Sequence, residues 1–271
     1  MSASRRFIKD LFYRIGLASL LDKVLFRWAS FANGSKNRAF RESHPSLIIP
    51  PDYYLYETYR LDYQQFFEDG AVTAGEIIEW TKNYLPNSSI NVLDWGCGVG
   101  RVTTQIKQIM PAGSKVYGID INKEMIDFDN KYYRDIEFET GPYLPPTNYP
   151  DRSFNLIYAL SIFTHIEADQ HLPWFKEIHR ILIDTGIFLF TTHGTNFHSQ
   201  LYSSEKKKLA SEGLYTKTYQ QKGHRMMTTY HQQQKLKELM EPYFEVLEFY
   251  EGAAHPEKMG GQDLWIIRKK R

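Results

Sequence analysis

One cysteine, Cys97, is all that the 271 residues contain, so no disulfide forms within the chain and a reducing setting is expected. An excess of charge is equally missing. Lys and Arg number 33 against 32 Asp and Glu, a net charge of +1, which argues against bulk nucleic-acid binding. No uncharged apolar run is long enough to span a bilayer. Arg5 and Arg6 precede apolar residues, but Lys9, Asp10 and Arg14 interrupt before a signal-peptide core forms. The expectation is a cytoplasmic chain, soluble or peripheral at the inner membrane face. No Cys/His pattern has zinc spacing, and neither a G-x-x-x-x-G-K-[ST] loop nor a G-x-S-x-G elbow occurs. The nine histidines are scattered, so no metal ligands are assigned, although a His/Asp site after the fourth and fifth strands stays open.

What is present is organised around Asn91-Val-Leu-Asp-Trp-Gly-Cys-Gly-Val-Gly-Arg101. An apolar strand there runs into a glycine turn and then a helix expected over 102–110, whose first N–H groups face the same place. A dinucleotide fingerprint needs G-x-G-x-x-G, and counted from Gly96 its third glycine falls on Arg101. The pattern is instead D-x-G-x-G-x-G, with Asp94 two residues before Gly96, followed by Gly98 and Gly100. A carboxylate at that point repels a pyrophosphate and suits a ligand that carries an ammonium group. Lys115-Val-Tyr-Gly-Ile-Asp120 is a second apolar strand ending in an acid, placed where a ribose-binding carboxylate belongs. Asp120 alone fits either a nicotinamide dinucleotide or S-adenosylmethionine (SAM).

In these motifs the chain resembles the class I SAM-dependent methyltransferases. The resemblance implies an α/β fold, a Rossmann-like seven-stranded sheet, mostly parallel with the last strand antiparallel, helices on both faces and an N-terminal helical extension. It implies cofactor contacts at Asp94, Gly96, Cys97, Gly98, Arg101, Asp120 and Ile121, and at Leu160 and Ser161 after the fourth strand. Many members place an acid just after the third strand; here Thr140-Gly141-Pro142 stands, which leaves the adenine to Thr140 or to the backbone at Gly141. Strands are expected at 136–139, 153–161, 186–193, 244–250 and 264–268, and Pro173 is tolerable only in the first turn of its helix. Ser161-Ile-Phe-Thr-His-Ile166, Thr191-Thr-His-Gly194 and Gln262-Asp-Leu-Trp265 narrow the likeness to methyltransferases of bacterial surface-polysaccharide and glycan biosynthesis, over about residues 48 to 269. That implies a sugar-like acceptor methylated on a hydroxyl.

Outside the strands, residues 5 to 33 alternate basic and apolar positions at helical spacing, with Gly16 expected to break them into two segments. This stripe packs on the main domain, on a second subunit as a homodimer contact, or on a membrane surface; Asp10 and Asp22 weigh against the membrane. Ala32 to Ser46 reads as a polar arm, so 1–47 is assigned to the extension and 48–271 to the catalytic domain. Tyrosines at 53, 54, 56, 59 and 63 offer faces and hydroxyls; they form the core of a helical cap or cover the ligands, Tyr56 over the cofactor. Residues 195–240 form a lid and acceptor-binding insertion beside the fifth strand, with Tyr219, His224 and Arg225 among its polar and aromatic residues. His165 and His193 follow strands at the active end of the sheet, and His231 joins them if the lid folds inward, so these three are the candidate bases. Two alternatives stand beside this reading: a SAM-binding protein without turnover that serves as a partner or membrane scaffold, and an NAD-dependent dehydrogenase.

Overall fold

The computed structural model describes residues 18–218 and 227–271. The expectations placed on Arg5, Arg6, Lys9, Asp10, Arg14 and Gly16, and on Tyr219, His224 and Arg225, lie outside those residues. The centre of the fold is a seven-stranded sheet of β1 (Asn91–Trp95), β2 (Lys115–Asp120), β3 (Glu137–Thr140), β4 (Phe154–Ala159), β5 (Leu182–Thr192), β8 (Phe244–Tyr250) and β9 (Asp263–Lys269), in the order β3-β2-β1-β4-β5-β9-β8. The first five strands pair in parallel, and β9 runs antiparallel between β5 and β8. Strand order reverses between β1 and β4, which opens a crevice beyond their carboxyl ends.

The central strands are apolar at successive positions because both faces are covered. Leu93, Ile157, Phe188 and Ile267 face a core closed by α6 (His171–Ile181) and α8 (Gln233–Met240). Val92, Leu156, Ile187 and Ile266 face a second core, reached by Ala74 and Ile77 of α3 (Tyr63–Thr81) and Ile106 of α4 (Thr103–Ile109). Pro173 is the third residue of α6, within the first turn, where no helical N–H is lost. Between β2 and β3, α5 (Lys123–Tyr132) starts on Asn122, whose side chain accepts from the N–H groups of Glu124 and Met125.

One expectation changes. The polar stretch after Ala32 is not an arm: α1 (Ala18–Ser43) continues through it as one helix. Its polar residues have a tertiary use, since α2 (Asp52–Tyr59) and α3 meet at a corner where Arg60 and Leu61 take positive φ. Asn33 donates to the Arg60 carbonyl, and buried Asn37 both donates to the Leu61 carbonyl and accepts from the Tyr63 N–H. The stretch 195–240 carries both helix and strand. After α7 (Ser203–Glu212), β6 (Leu214–Thr218) and β7 (Met227–His231) form a separate antiparallel pair.

Phe188 is fully buried, stacked 4.8 Å from Phe190, with Phe163 6.1 Å away. Phe188→Ala should lower the unfolding free energy by about 3–5 kcal/mol, as read by urea denaturation. A loss under about 1 kcal/mol would contradict a packed core on this face.

Candidate active site

The glycine turn after β1 is pinned to β2, because the N–H groups of Gly96 and Cys97 both donate to the Ile119 carbonyl at 2.7 and 3.2 Å. Gly96 has φ +83°, and a Cβ built on it would stand 1.9 Å from Cδ1 of Ile162, so the turn after β4 lies directly against the turn after β1. Behind the loop, Asp94 is buried, and its Oδ2 accepts from Thr103 Oγ1 at 2.6 Å and Tyr158 OH at 2.8 Å. Burial raises its carboxyl to about 7, against the pull of those two hydroxyls and of Arg101. The acid therefore ties β1 to α4 and β4. Asp120 lies at the end of β2, raised by burial, with Oδ2 accepting from the Gly98 N–H at 3.0 Å and Oδ1 from the Asn122 N–H at 2.8 Å.

Two cavities open beyond the strand ends, and the turn after β4 divides them. The first is bounded by Gly96, Asp120, Ile121, Gly141, Tyr143, Ile162 and His165, with Trp95 and Trp174 at its base. Its chemistry is one carboxylate among apolar and aromatic walls. The second is bounded by Tyr59 of α2, by Asp69 and Glu76 of α3, by Arg101, Leu160, Ser161 and Thr191, and by Glu257 and Gln262 before β9. Ser161, on the wall between them, holds φ +61°, a conformation costing about 1–3 kcal/mol for a residue with a side chain. Three contacts hold it there: its N–H donates to Thr191 Oγ1 (2.8 Å), its Oγ accepts from Gln262 Nε2 (2.6 Å), and its carbonyl accepts from Thr164 Oγ1 (2.5 Å).

Among the described residues, three buried polar atoms on residues that line these cavities have no hydrogen-bond partner: Nε1 of Trp174 in the first, Nη1 of Arg101 and Oε1 of Gln262 in the second. Leaving a buried donor or acceptor unmade costs about 1–3 kcal/mol, so each is a candidate point for a ligand to supply the partner. Gly70 of α3 lets Arg101 lie against that helix, since a Cβ there would stand 3.0 Å from Arg101 Cγ, and the guanidinium sits 5.1 Å from the Tyr59 ring centre.

The β6–β7 pair is fastened over the turn after β4. His165 Nδ1 donates to the Met227 carbonyl at 2.7 Å, and Thr229 Oγ1 donates to the Ile166 carbonyl at 2.6 Å. Since a carbonyl only accepts, the proton of a neutral His165 is on Nδ1 and the lone pair on Nε2. His231 is buried against His171, Nε2 to Nε2 at 2.9 Å, and burial and its histidine neighbours push it well below its usual value. His193 stacks 4.1 Å from the Phe197 ring, lowered by burial to about 3.

The glycine turn, the two acids and the strand order now stand together, and the model of a family described as a methyltransferase domain matches residues 86–243. The chain belongs to the class I SAM-dependent methyltransferases. It is 31% identical over 136 residues to phosphoethanolamine N-methyltransferase 1 of Zea mays, covering 45% of this chain and 26% of that one. It is also 31% identical over 126 residues to the mitochondrial ubiquinone biosynthesis O-methyltransferase of Dictyostelium discoideum, covering 41% and 38%. The chain thus matches between about a quarter and two fifths of these relatives' length. The 1,6-didemethyltoxoflavin-N1-methyltransferase of Burkholderia thailandensis, solved with S-adenosylhomocysteine, shares the fold with a TM-score of 0.52 and 15% identity over 83% of this chain and 93% of that one. Family membership leaves the dehydrogenase alternative without support.

SAM is the cofactor of this family, and the first cavity has the chemistry to take it. Each Asp120 oxygen already accepts one N–H and keeps a second lone pair for a ribose hydroxyl, while Ile121, Pro142, Tyr143 and Ile162 offer apolar surface to a purine. Of the residues expected from sequence, Gly96, Asp120, Ile121, Gly141 and His165 line this cavity, and Arg101, Leu160 and Ser161 line the second. Asp94, Gly98, Cys97, Thr140, Tyr56, His193 and His231 line neither. Cys97 is buried, its thiol pushed well up by burial and by the Asp94 charge. Thr140 is exposed at the end of β3. Tyr56 packs in the N-terminal helices with its hydroxyl on Asp22 Oδ1 at 3.1 Å. Gln262, Trp174, Tyr143 and Ile162 were not singled out from sequence as site residues. For Gln262 there was a signal: a residue just before an antiparallel last strand sits at the same edge as the carboxyl ends of the parallel strands.

Asp129 of α5 is buried beneath Gly100 with neither carboxyl oxygen bonded, and burial, then the charges of Asp120 and Asp94, raise it to about 9. A carboxyl raised on folding stabilises below its unfolded value and loses that contribution as pH climbs to the folded one. Stability should therefore decline from about pH 4 toward about pH 9. Asp129→Asn should flatten that decline in denaturation curves taken across the range. Parallel curves for the two proteins would contradict a protonated Asp129.

Proposed function

We propose that this protein transfers the methyl group of SAM to a hydroxyl of a sugar or similarly hydroxylated small molecule seated in the second cavity. The observation that carries the reading is that Gln262 Oε1 and Arg101 Nη1, neither with a hydrogen-bond partner among the described residues, belong to residues lining one cavity, which adjoins the cofactor cavity through Ser161. Asp69, Glu76 and Glu257 accept hydrogen bonds from hydroxyls, Thr58, Thr73 and Thr191 add neutral partners, and Tyr59 offers a ring face. The same three carboxylates favour a second reading, an amine acceptor, and the relatives' names include both N- and O-methyltransferases.

SAM supplies an electrophilic methyl on a sulfonium, so the protein's share is placement, orientation and exclusion of water. In this reading Asp120 accepts from the ribose hydroxyls and the Gly96 backbone lies against the nucleoside. Arg101 pairs with the carboxylate of the methionine end or with an acceptor oxygen, and Gln262 accepts from an acceptor hydroxyl. His165 is the one of the three candidate bases that borders a cavity, with its tautomer set for proton acceptance at Nε2 by the Met227 carbonyl. Of the other two, His193 stacks on Phe197 and its carbonyl accepts from the N–H of buried His231.

Asp120→Ala should weaken SAM binding roughly ten- to a hundredfold, the effect of losing about 1.5–3 kcal/mol of charged hydrogen bonding, with the fold intact; unchanged affinity in titration calorimetry would contradict the ribose role. His165→Ala should lower turnover by roughly 10²–10⁴ while SAM affinity stays close to wild type. Release of S-adenosylhomocysteine with sugars, nucleotide sugars and amines as acceptors tests the substrate class, and Gln262→Leu should raise KM for the acceptor more than it lowers kcat. Turnover on amines alone would replace the hydroxyl reading. No turnover on any acceptor, with SAM bound, would favour a binding protein.

A further inference from the structure

We propose that α1 is an interfacial helix that seats this protein on an anionic lipid surface. Leu20, Val24, Trp28 and Phe31 recur at helical spacing and are 55, 56, 65 and 88% exposed, a continuous apolar stripe along the side of α1 that points away from the domain. The opposite side of the helix is fully engaged. Phe26 packs edge-on against Tyr53 and Tyr56, Ala29 is buried, and Asn33 and Asn37 hold the corner between α2 and α3. The stripe is therefore surplus to the packing of α1 on its own domain.

Charge decides the occupant. Within the span of the stripe the exposed charges are Lys23 and Arg27, which flank it on one side. Asp22, the acid in that span, is turned inward, accepting from the hydroxyls of Tyr53 at 2.8 Å and Tyr56 at 3.1 Å. Over residues 20–31 the outward face thus carries apolar and basic groups without an acidic complement, and Glu42 follows about three turns beyond Phe31. Two copies meeting there would bring like charges together, whereas anionic headgroups pair with the cations while Trp28 and Phe31 enter the acyl boundary. In sequence the preceding residues 5–14 add Arg5, Arg6, Lys9 and Arg14 against Asp10, in the same sense. No described helix is long and apolar enough to cross a bilayer, so the contact is with the surface.

The full chain is floated with vesicles of phosphatidylcholine, alone and mixed with phosphatidylglycerol, while tryptophan emission is recorded. Trp28 reports the contact, since Trp95, Trp174 and Trp265 are buried and Trp80 is partly so. Binding to the anionic vesicles alone, with a blue shift that Trp28→Phe removes, is expected. Val24→Asp with Phe31→Asp should weaken binding by at least roughly tenfold and leave the thermal shift given by SAM unchanged. Absence of flotation, equal flotation of the double variant, or a dimer in light scattering that this variant dissolves would overturn the proposal.

Discussion

The site depends on one steric fact, that the chain leaving β4 lies against the chain leaving β1. Ile162 occupies the space a side chain at position 96 would need, so the glycine is required by the protein's own packing before any ligand is considered. This contact brings Leu160, Ser161 and Ile162 to the crevice where the strand order reverses, and it splits that crevice into two cavities. Ser161 accepts a strained backbone to make the division. Two of the three residues that hold it, Thr191 of β5 and Gln262 just before β9, come from beyond β4, and Thr164 holds it from within the turn.

A second constraint is electrostatic. Asp94, Asp120 and Asp129 surround the glycine loop, all with raised carboxyl values; burial is the first cause in each, and repulsion from Asp120 adds to it at Asp94 and Asp129, and from Glu57 at Asp120. The fold manages them differently. Asp94 is held by two hydroxyls, Asp120 by two backbone N–H groups, and Asp129 by nothing but its proton. Of the three, Asp120 borders the first cavity; a carboxylate there suits a ligand with a cationic centre and disfavours the pyrophosphate that a related glycine turn holds in dinucleotide-binding proteins.

Much of the fold was legible because period and punctuation are local. Apolar runs ending in Asp94 and Asp120 placed β1 and β2, and seven strands with an antiparallel last member appear where they were expected. The polar run after Ala32 misled, because Asn33-Gly34 looks like a breaker, whereas Asn33 and Asn37 are needed at the corner of Arg60 and Leu61. Asp94 was legible as an acid but not as a strut, since its partners Thr103 and Tyr158 lie 9 and 64 residues away. His165 and His193 both follow strands, and His231 depended on how the insertion folds; only the structure shows that His165 alone of the three lines a cavity. Tyr56 was drawn to the cofactor by composition, whereas Asp22 holds its hydroxyl in the N-terminal helices.

The central claim is that the two cavities on either side of Ser161 divide the cofactor's nucleoside from the group it methylates. A crystal structure with S-adenosylhomocysteine measures this directly. The account predicts ribose hydroxyls on Asp120, the purine between Ile121 and Ile162, and the sulfur near Ser161, facing the cavity of Arg101 and Gln262. Density with the purine in the Arg101 cavity, or with no contact to Asp120, would contradict it.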